Sequence, residues 1–117
     1  MESSVYAALS GAGAVTAIAG QRVYVGHVKQ AESLPALTYE RVSTTPNPTL
    51  GANNPTTSAR CQVDAWAETY AEARALADAA RVAVLTLTAV WLNEMYQYEP
   101  DVGVHHISID FSVWFST

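Results

Sequence analysis

The sequence predicts an α+β fold: an antiparallel sheet of four to five strands, with one main helix packed on a face and short helices at the N-terminus. Three observations carry this. Ser58–Ala67 and the run from His106 to Phe115 alternate apolar and polar residues with the two-residue period of a strand buried on one side. Between them, Thr69 and Glu72 form a capping box ahead of Ala73, Leu76, Ala77, Ala80 and Val84, whose three- and four-residue spacing is that of an amphipathic helix. No internal repeat occurs, and no βαβ alternation is sustained enough for a doubly wound parallel sheet.

In chain order, Ser3 or Ser4 is placed to cap a short helix carrying Val5, Tyr6 and Leu9, which Gly11 and Gly13 interrupt; a second turn or two, Ala14 to Ala19, stops at Gly20. Arg22 to Val28 is β-branched and aromatic, a short strand with Gly26 as a bulge. Pro35 is a break before a strand over Leu37–Ser43. From Thr44 to Thr57, prolines, asparagines, threonines and Gly51 crowd into a segment with neither helical nor strand period, long for a connector and so a candidate contact arm. In Ser58–Ala67, Cys61, Val63, Ala65 and Ala67 face the core, and Arg60, Gln62, Asp64 and Trp66 face away. After the helix, Leu85 to Thr117 reads as two hairpin-paired strands about the turn Pro100-Asp101-Val102-Gly103. In the second, Ile107, Ile109, Phe111, Val113 and Phe115 point inward and His106, Ser108, Asp110, Ser112 and Trp114 outward.

A chain of 117 residues, 50% hydrophobic and 15% charged, fits one domain spanning 1–117 with one core. The longest apolar stretch, Val82 to Leu92, is broken by Thr86 and Thr88 and is far short of the roughly 20 residues of a membrane span, so no membrane contact is expected. Met1-Glu2-Ser3-Ser4 has no basic n-region or apolar h-region, which makes folding in a cytosol the default. The formal net charge of −5 is uneven: Arg22, Lys29, Arg41 and Arg60 outnumber Glu2, Glu32 and Glu40, whereas Arg74 and Arg81 face eight acids in the second half. Such a balance disfavours gripping of phosphates and suits a surface that DNA passes without adhering.

No catalytic, cofactor or metal site emerges. His105 and His106 are adjacent on a strand, so their rings point to opposite faces and cannot share a metal simply. Asp64, Glu94 and Asp110 lack a neighbouring His, nucleophile or Gly-rich loop in the sequence and read as solvated carboxylates. Cys61, the single cysteine, lies on an apolar face, where a thiol behaves as a small hydrophobe. Gly11-Ala12-Gly13 follows no strand and precedes no Lys-Ser/Thr, which excludes a phosphate-binding loop. Trp66 and Trp114, on a face that should be wet, need cover, for which we favour the N-terminal helices over a neighbouring subunit.

The order Val5-Tyr-Ala-Ala-Leu9, Val15-Thr-Ala-Ile-Ala-Gly20, Arg22-Val-Tyr24, Leu34-Pro35, Tyr39, Arg60-Cys-Gln-Val-Asp-Ala-Trp66, Thr69-Tyr-Ala-Glu-Ala-Arg74 and Ile109-Asp-Phe-Ser-Val-Trp114 resembles the bacteriophage tail-completion, or tail-terminator, proteins of long-tailed phages over nearly the whole chain. That resemblance implies a non-enzymatic virion subunit assembled in the host cytoplasm. It implies a six-fold ring at the head-proximal end of the tail, which halts growth of the tube and presents a docking surface to the head connector. The implied partners are other copies of the chain, the tail tube protein and a head-completion or connector protein, with DNA passing through unbound. On this reading Pro46, Asn47, Pro48, Leu50, Asn53 and Asn54 of the arm, with Trp66 and Trp114, are candidate subunit or tube contacts, and Glu94, Glu99 and Asp101 are candidate lumen acids. The alternative is a small dimeric α+β module binding an apolar ligand in a pocket lined by Trp66, Trp114 and Tyr96.

Overall fold

The computed structural model describes residues 2–26, 34–47, 56–100 and 103–116. Along these run α1 (Glu2–Gly11), α2 (Gly13–Ala19), β1 (Val23–Val25), β2 (Ala36–Asn47), β3 (Thr56–Ala67), α3 (Tyr70–Val84), β4 (Ala89–Glu99) and β5 (Val104–Ser116). The helix and strand order expected from the sequence holds, and the five strands form one sheet in the order β1-β2-β3-β5-β4. The sheet is antiparallel except at one edge, where the three residues of β1 lie parallel to β2, Val23 opposite Leu37 and Val25 opposite Tyr39. The expected strand over Arg22–Val28 is therefore shorter than its composition suggests, and Gly26, at φ 83°, ends it instead of bulging it.

Alternation sets the two faces. Ala59, Cys61, Val63, Ala65 and Ala67 of β3 and Ile107, Ile109, Phe111 and Val113 of β5 turn to one side and are buried there. All three helices lie on that side: Val5 and Leu9 of α1, Val15 and Ala19 of α2, and Ala73, Leu76, Ala77, Ala80 and Val84 of α3 join the same core. Small residues meet small residues where α3 crosses β3, so the helix seats close while Leu76, Phe111, Leu9 and Leu37 fill the surrounding volume. Each of these large side chains contributes roughly 1.5–3 kcal/mol by leaving water. The favoured expectation that the N-terminal helices cover the Trp66 face is thus incorrect; Val5 and Leu9 give α1 one apolar stripe, and it is used on the α3 side.

The helix starts as its capping box requires, with the Glu72 amide donating to Thr69 Oγ1 at 3.2 Å. Its reciprocal half differs from expectation: the Thr69 hydroxyl also donates to Glu72 Oε1 at 3.2 Å. At the N-terminus α1 begins at Glu2, so Ser3 and Ser4 lie within the helix and not before it. Gly20 ends α2 at φ 60°, its N–H reaching Thr16 O at 2.9 Å, a conformation that side chains with a Cβ rarely adopt.

The expected loop Thr44–Thr57 is the largest correction. Thr44 to Asn47 continue β2, and Thr56 and Thr57 begin β3, with Thr44 opposite Ala59 and Asn47 opposite Thr56. Proline and asparagine statistics argued for a loop, but β-branched threonines extend well, and beyond β1 this half of β2 is an edge, where a residue lacking an N–H is tolerated. Residues 48–55 lie outside the described residues, and with them candidate positions Pro48, Leu50, Asn53 and Asn54.

Two substitutions probe this core. Leu76→Ala is expected to lower unfolding free energy by about 2–5 kcal/mol, and Thr69→Ala by about 1 kcal/mol, in urea melts of the purified chain. A Thr69→Ala loss as large as that of Leu76→Ala would mean that α3 depends on its cap more than on packing.

Candidate assembly surfaces

The face opposite the helices carries no covering element among the described residues, yet Thr38, Asp64 and His106 on it are buried. Their cover is a network. In register, Asp64 faces Thr38 of β2 and Ser108 of β5, and Trp66 faces His106. The Asp64 carboxylate accepts from Gln62 Nε2 at 3.0 Å and from Thr38 Oγ1 at 3.5 Å, and lies 3.1 Å from His106 Nε2. The Trp66 indole stacks on the His106 ring at 3.8 Å and 5°, and its Nε1–H donates to Thr38 Oγ1 at 3.0 Å. Burial pushes the Asp64 carboxyl up, but hydrogen bonds from His106, Ser108 and Gln62, with the charge of His106, outweigh it and hold it below its ordinary 3.8.

Sequence reading found no histidine near Asp64; strand register supplies one, because Asp64 and His106 sit on adjacent strands with their side chains on one face. Ser108 joins them, its Oγ 3.1 Å from His106 Nε2. This is not a nucleophile relay. Serine and carboxylate converge on the same ring nitrogen, whereas a triad needs them on opposite nitrogens. Nδ1 of His106 is buried with no partner among the described residues. Beside the network, Gln62, Asn93, Met95, Gln97, His106, Ser108 and Asp110 border a depression of about 250 Å³, and Arg60 pairs with Asp110 at 3.1 Å on its rim.

Trp66 and Trp114 share this face but not a neighbourhood. Trp66 pairs with His106 and Trp114 with Ser58, about 27 Å apart along the strands at 3.4 Å per residue. Tyr96, opposite Ile107, belongs to the other face. The three aromatics proposed for an apolar pocket are therefore not brought together. Trp66 is engaged within the chain, and Trp114 remains exposed.

On the helix side, α3 and β4 are joined by long side chains. Tyr70, Arg74 and Arg81 follow the helical repeat and meet Tyr96, Glu94 and Trp91 of β4: a T-shaped ring pair at 5.1 Å, an ion pair at 2.7 Å and a guanidinium over an indole at 4.7 Å. The Glu94 hydrogen bond raises the Arg74 pKa further above its already high ordinary value. Of the candidate lumen acids, Glu94 is thus neutralised by Arg74, Glu99 is exposed at the end of β4, and Asp101 lies outside the described residues. Tyr98 and Tyr96 flank His105, the latter through a 2.7 Å contact between its hydroxyl and Nδ1, so an aromatic cluster crowns the β4–β5 turn. His105 and His106 do face opposite ways. Pro46 and Asn47 lie on the distal half of β2, opposite Thr57 and Thr56.

The sign of the acid response follows from Asp64. A carboxyl held below its unfolded value contributes stability that is full above pH ~4 and is lost as pH falls through the lower folded value. Asp64→Asn is expected to cost about 2 kcal/mol at pH 7 and to flatten the loss of stability below pH ~4 in denaturant melts; an unchanged acid limb would place the titrating group elsewhere.

No curated protein sequence matches the chain. Among solved structures, a chain from the virion of a native gene transfer agent (GTA) particle superposes with a TM-score of 0.82, covering 100% of this chain and 95% of that one at 13% identity, which shows a shared fold. Residues 3–116 match the family described as Tail completion protein gp17, and the chain belongs to that family of structural, non-enzymatic tail proteins.

Proposed function

We propose that the chain is a ring subunit of the virion tail that caps the head-proximal end of the tube, stops its polymerisation and forms part of the joint with the head. The observation that carries this reading is the family match over residues 3–116, which spans the described helices and strands but for Glu2 at the start of α1. The likeness to a chain of a gene transfer agent virion supports it, since that particle too is a virion. A six-membered ring is the stoichiometry implied by the resemblance to tail terminators. Its partners are then neighbouring copies, the tail tube protein and a head-completion or connector protein, and assembly takes place in the host cytoplasm.

Within the ring, the β2–β3 arm is the reaching element. Pro46, Asn47, Pro48, Leu50, Asn53 and Asn54 contact an adjacent subunit or the tube below, and Trp114, exposed at the arm's base, extends that contact. Trp66 serves indirectly by holding the sheet face rigid. Glu99 and Asp101 line the lumen, where like charge keeps DNA from adhering as it passes; Glu94, neutralised by Arg74, contributes little to that field.

Two experiments test this reading. Deleting Pro46 to Pro55 is expected to abolish tail joining in a complementation assay while the truncated chain keeps its far-UV circular dichroism; intact joining would remove the arm from the mechanism. Asp101→Lys should leave rings intact but slow DNA passage, read as delayed genome release, and unaltered release would place this acid away from the lumen.

A further inference from the structure

The two edges of the sheet are protected very differently. Natural edge strands are blunted by shortness, proline, lysine, inward charge or bulges, because an open ladder of N–H and C=O groups otherwise pairs with other chains. At one edge, β1 has only three residues, and the free part of β2 carries Glu40, Arg41, a register shift around Val42, and Pro46. At the other edge, β4 has a register shift of its own between Trp91 and Asn93, but it runs for eleven residues, Ala89–Glu99, without a lysine or a proline, and its Glu94 is tied to Arg74. Its apolar side chains are exposed on both faces, Val90 and Met95 at 52% and 53% on the open face and Tyr98 at 49% on the helix side, with Leu92 at the register shift. The tyrosine and histidine cluster continues this strip around the turn. Tyrosine and tryptophan in such a strip are the residue types that dominate binding energy at interfaces.

We propose that the β4 edge receives a second copy of this chain, which docks there with the opposite edge of its own sheet, head to tail. This rests on the ring reading above. The argument for a second copy is that the far edge carries a matching strip: Val25, Val42 and Tyr6 are exposed beside β1 and β2. One head-to-tail contact covers both strips. A two-fold contact of β4 with β4 would cover one and leave Val25 and Val42 in water. Unlike surfaces meeting in the same order at every contact are also what closes a ring, whereas a two-fold pair stops at two. The size is adequate: eleven residues at about 3.4 Å make an edge roughly 37 Å long, which with the side chains flanking it approaches the ~800 Å² per partner of a standard interface.

Crosslinking separates the geometries. On a Cys61→Ala background, Val42→Cys and Tyr98→Cys are made singly, mixed and oxidised with tail tubes present. The mixture is expected to give a disulfide-linked dimer that neither variant gives alone, and the chain carrying both substitutions should give a ladder of higher species. Tyr98→Cys crosslinking to itself overturns the head-to-tail geometry. Met95→Lys, with unchanged circular dichroism, should raise the concentration needed for assembly by about tenfold or more. Rings of wild-type chain by electron microscopy, with no crosslink in the mixture and normal assembly of Met95→Lys, overturn this inference and leave the ring reading standing; if Met95→Lys rings form but no longer bind tubes, the tube is the occupant of β4 instead. No rings on any tube end overturns the ring reading, and this inference with it.

Discussion

Strand β3 pairs along both flanks, with β2 through Ala36–Asn47 and with β5 through His105–Ser116, and nearly everything else in the molecule is referred to it. A strand paired on both sides cannot slip by one residue without turning its whole apolar set into water. Its register therefore settles at once which side the helices occupy and which polar residues meet across the other. The core side of β3 is built from small residues, Ala59, Cys61, Val63, Ala65 and Ala67, so α3 with its own alanines can approach closely. Larger residues here would push the helix outward and open the space that Leu76 and Phe111 now fill.

Because all three helices lie on one side, the other face has to satisfy its buried polar groups from within the sheet. The Asp64 network does this with neighbours that register provides. A carboxylate left alone at that depth would be costly, and here histidine, serine, glutamine and threonine surround it while the Trp66 indole lies over His106 and shields it. The result is a sheet face whose buried polar groups are paired within the sheet. The α3–β4 contact solves the converse problem. A strand two places away from β3 lies too far from the helix for short side chains, so Arg74, Arg81 and Tyr70 span the distance and charge pairing replaces packing.

How much of this could be read from sequence depended on whether a signal was local. The α3 cap and stripe, the inward faces of β3 and β5 and the opposed directions of His105 and His106 are properties of periodicity and were legible. The Asp64–His106 pair was not, because residues 42 apart in the chain meet only through strand order. Nor was the side chosen by α1: a single apolar stripe says that a helix is buried, not against what. The β2–β3 arm differs from its sequence expectation at the ends for another reason. Composition there favours turns, while cross-strand pairing with Thr56–Ala59 decides the backbone. The parallel placement of β1 is likewise a tertiary outcome, invisible in three residues.

The one-sided architecture also explains why association is expected at edges and not at faces. The core beneath the helices is closed, and the centre of the open face is held by polar pairs that would lose hydrogen bonds if a flat partner were pressed on them. What is left is the rim of the sheet, where β4 combines unpaired backbone with exposed tryptophan, methionine and tyrosine. The difference between the edges is itself directional: three residues of β1 at one rim and eleven of β4 at the other cannot be interchanged. One short, blunted edge with its own small apolar strip and one long edge give the sheet two unlike rims, and unlike rims that meet do so in a single sense.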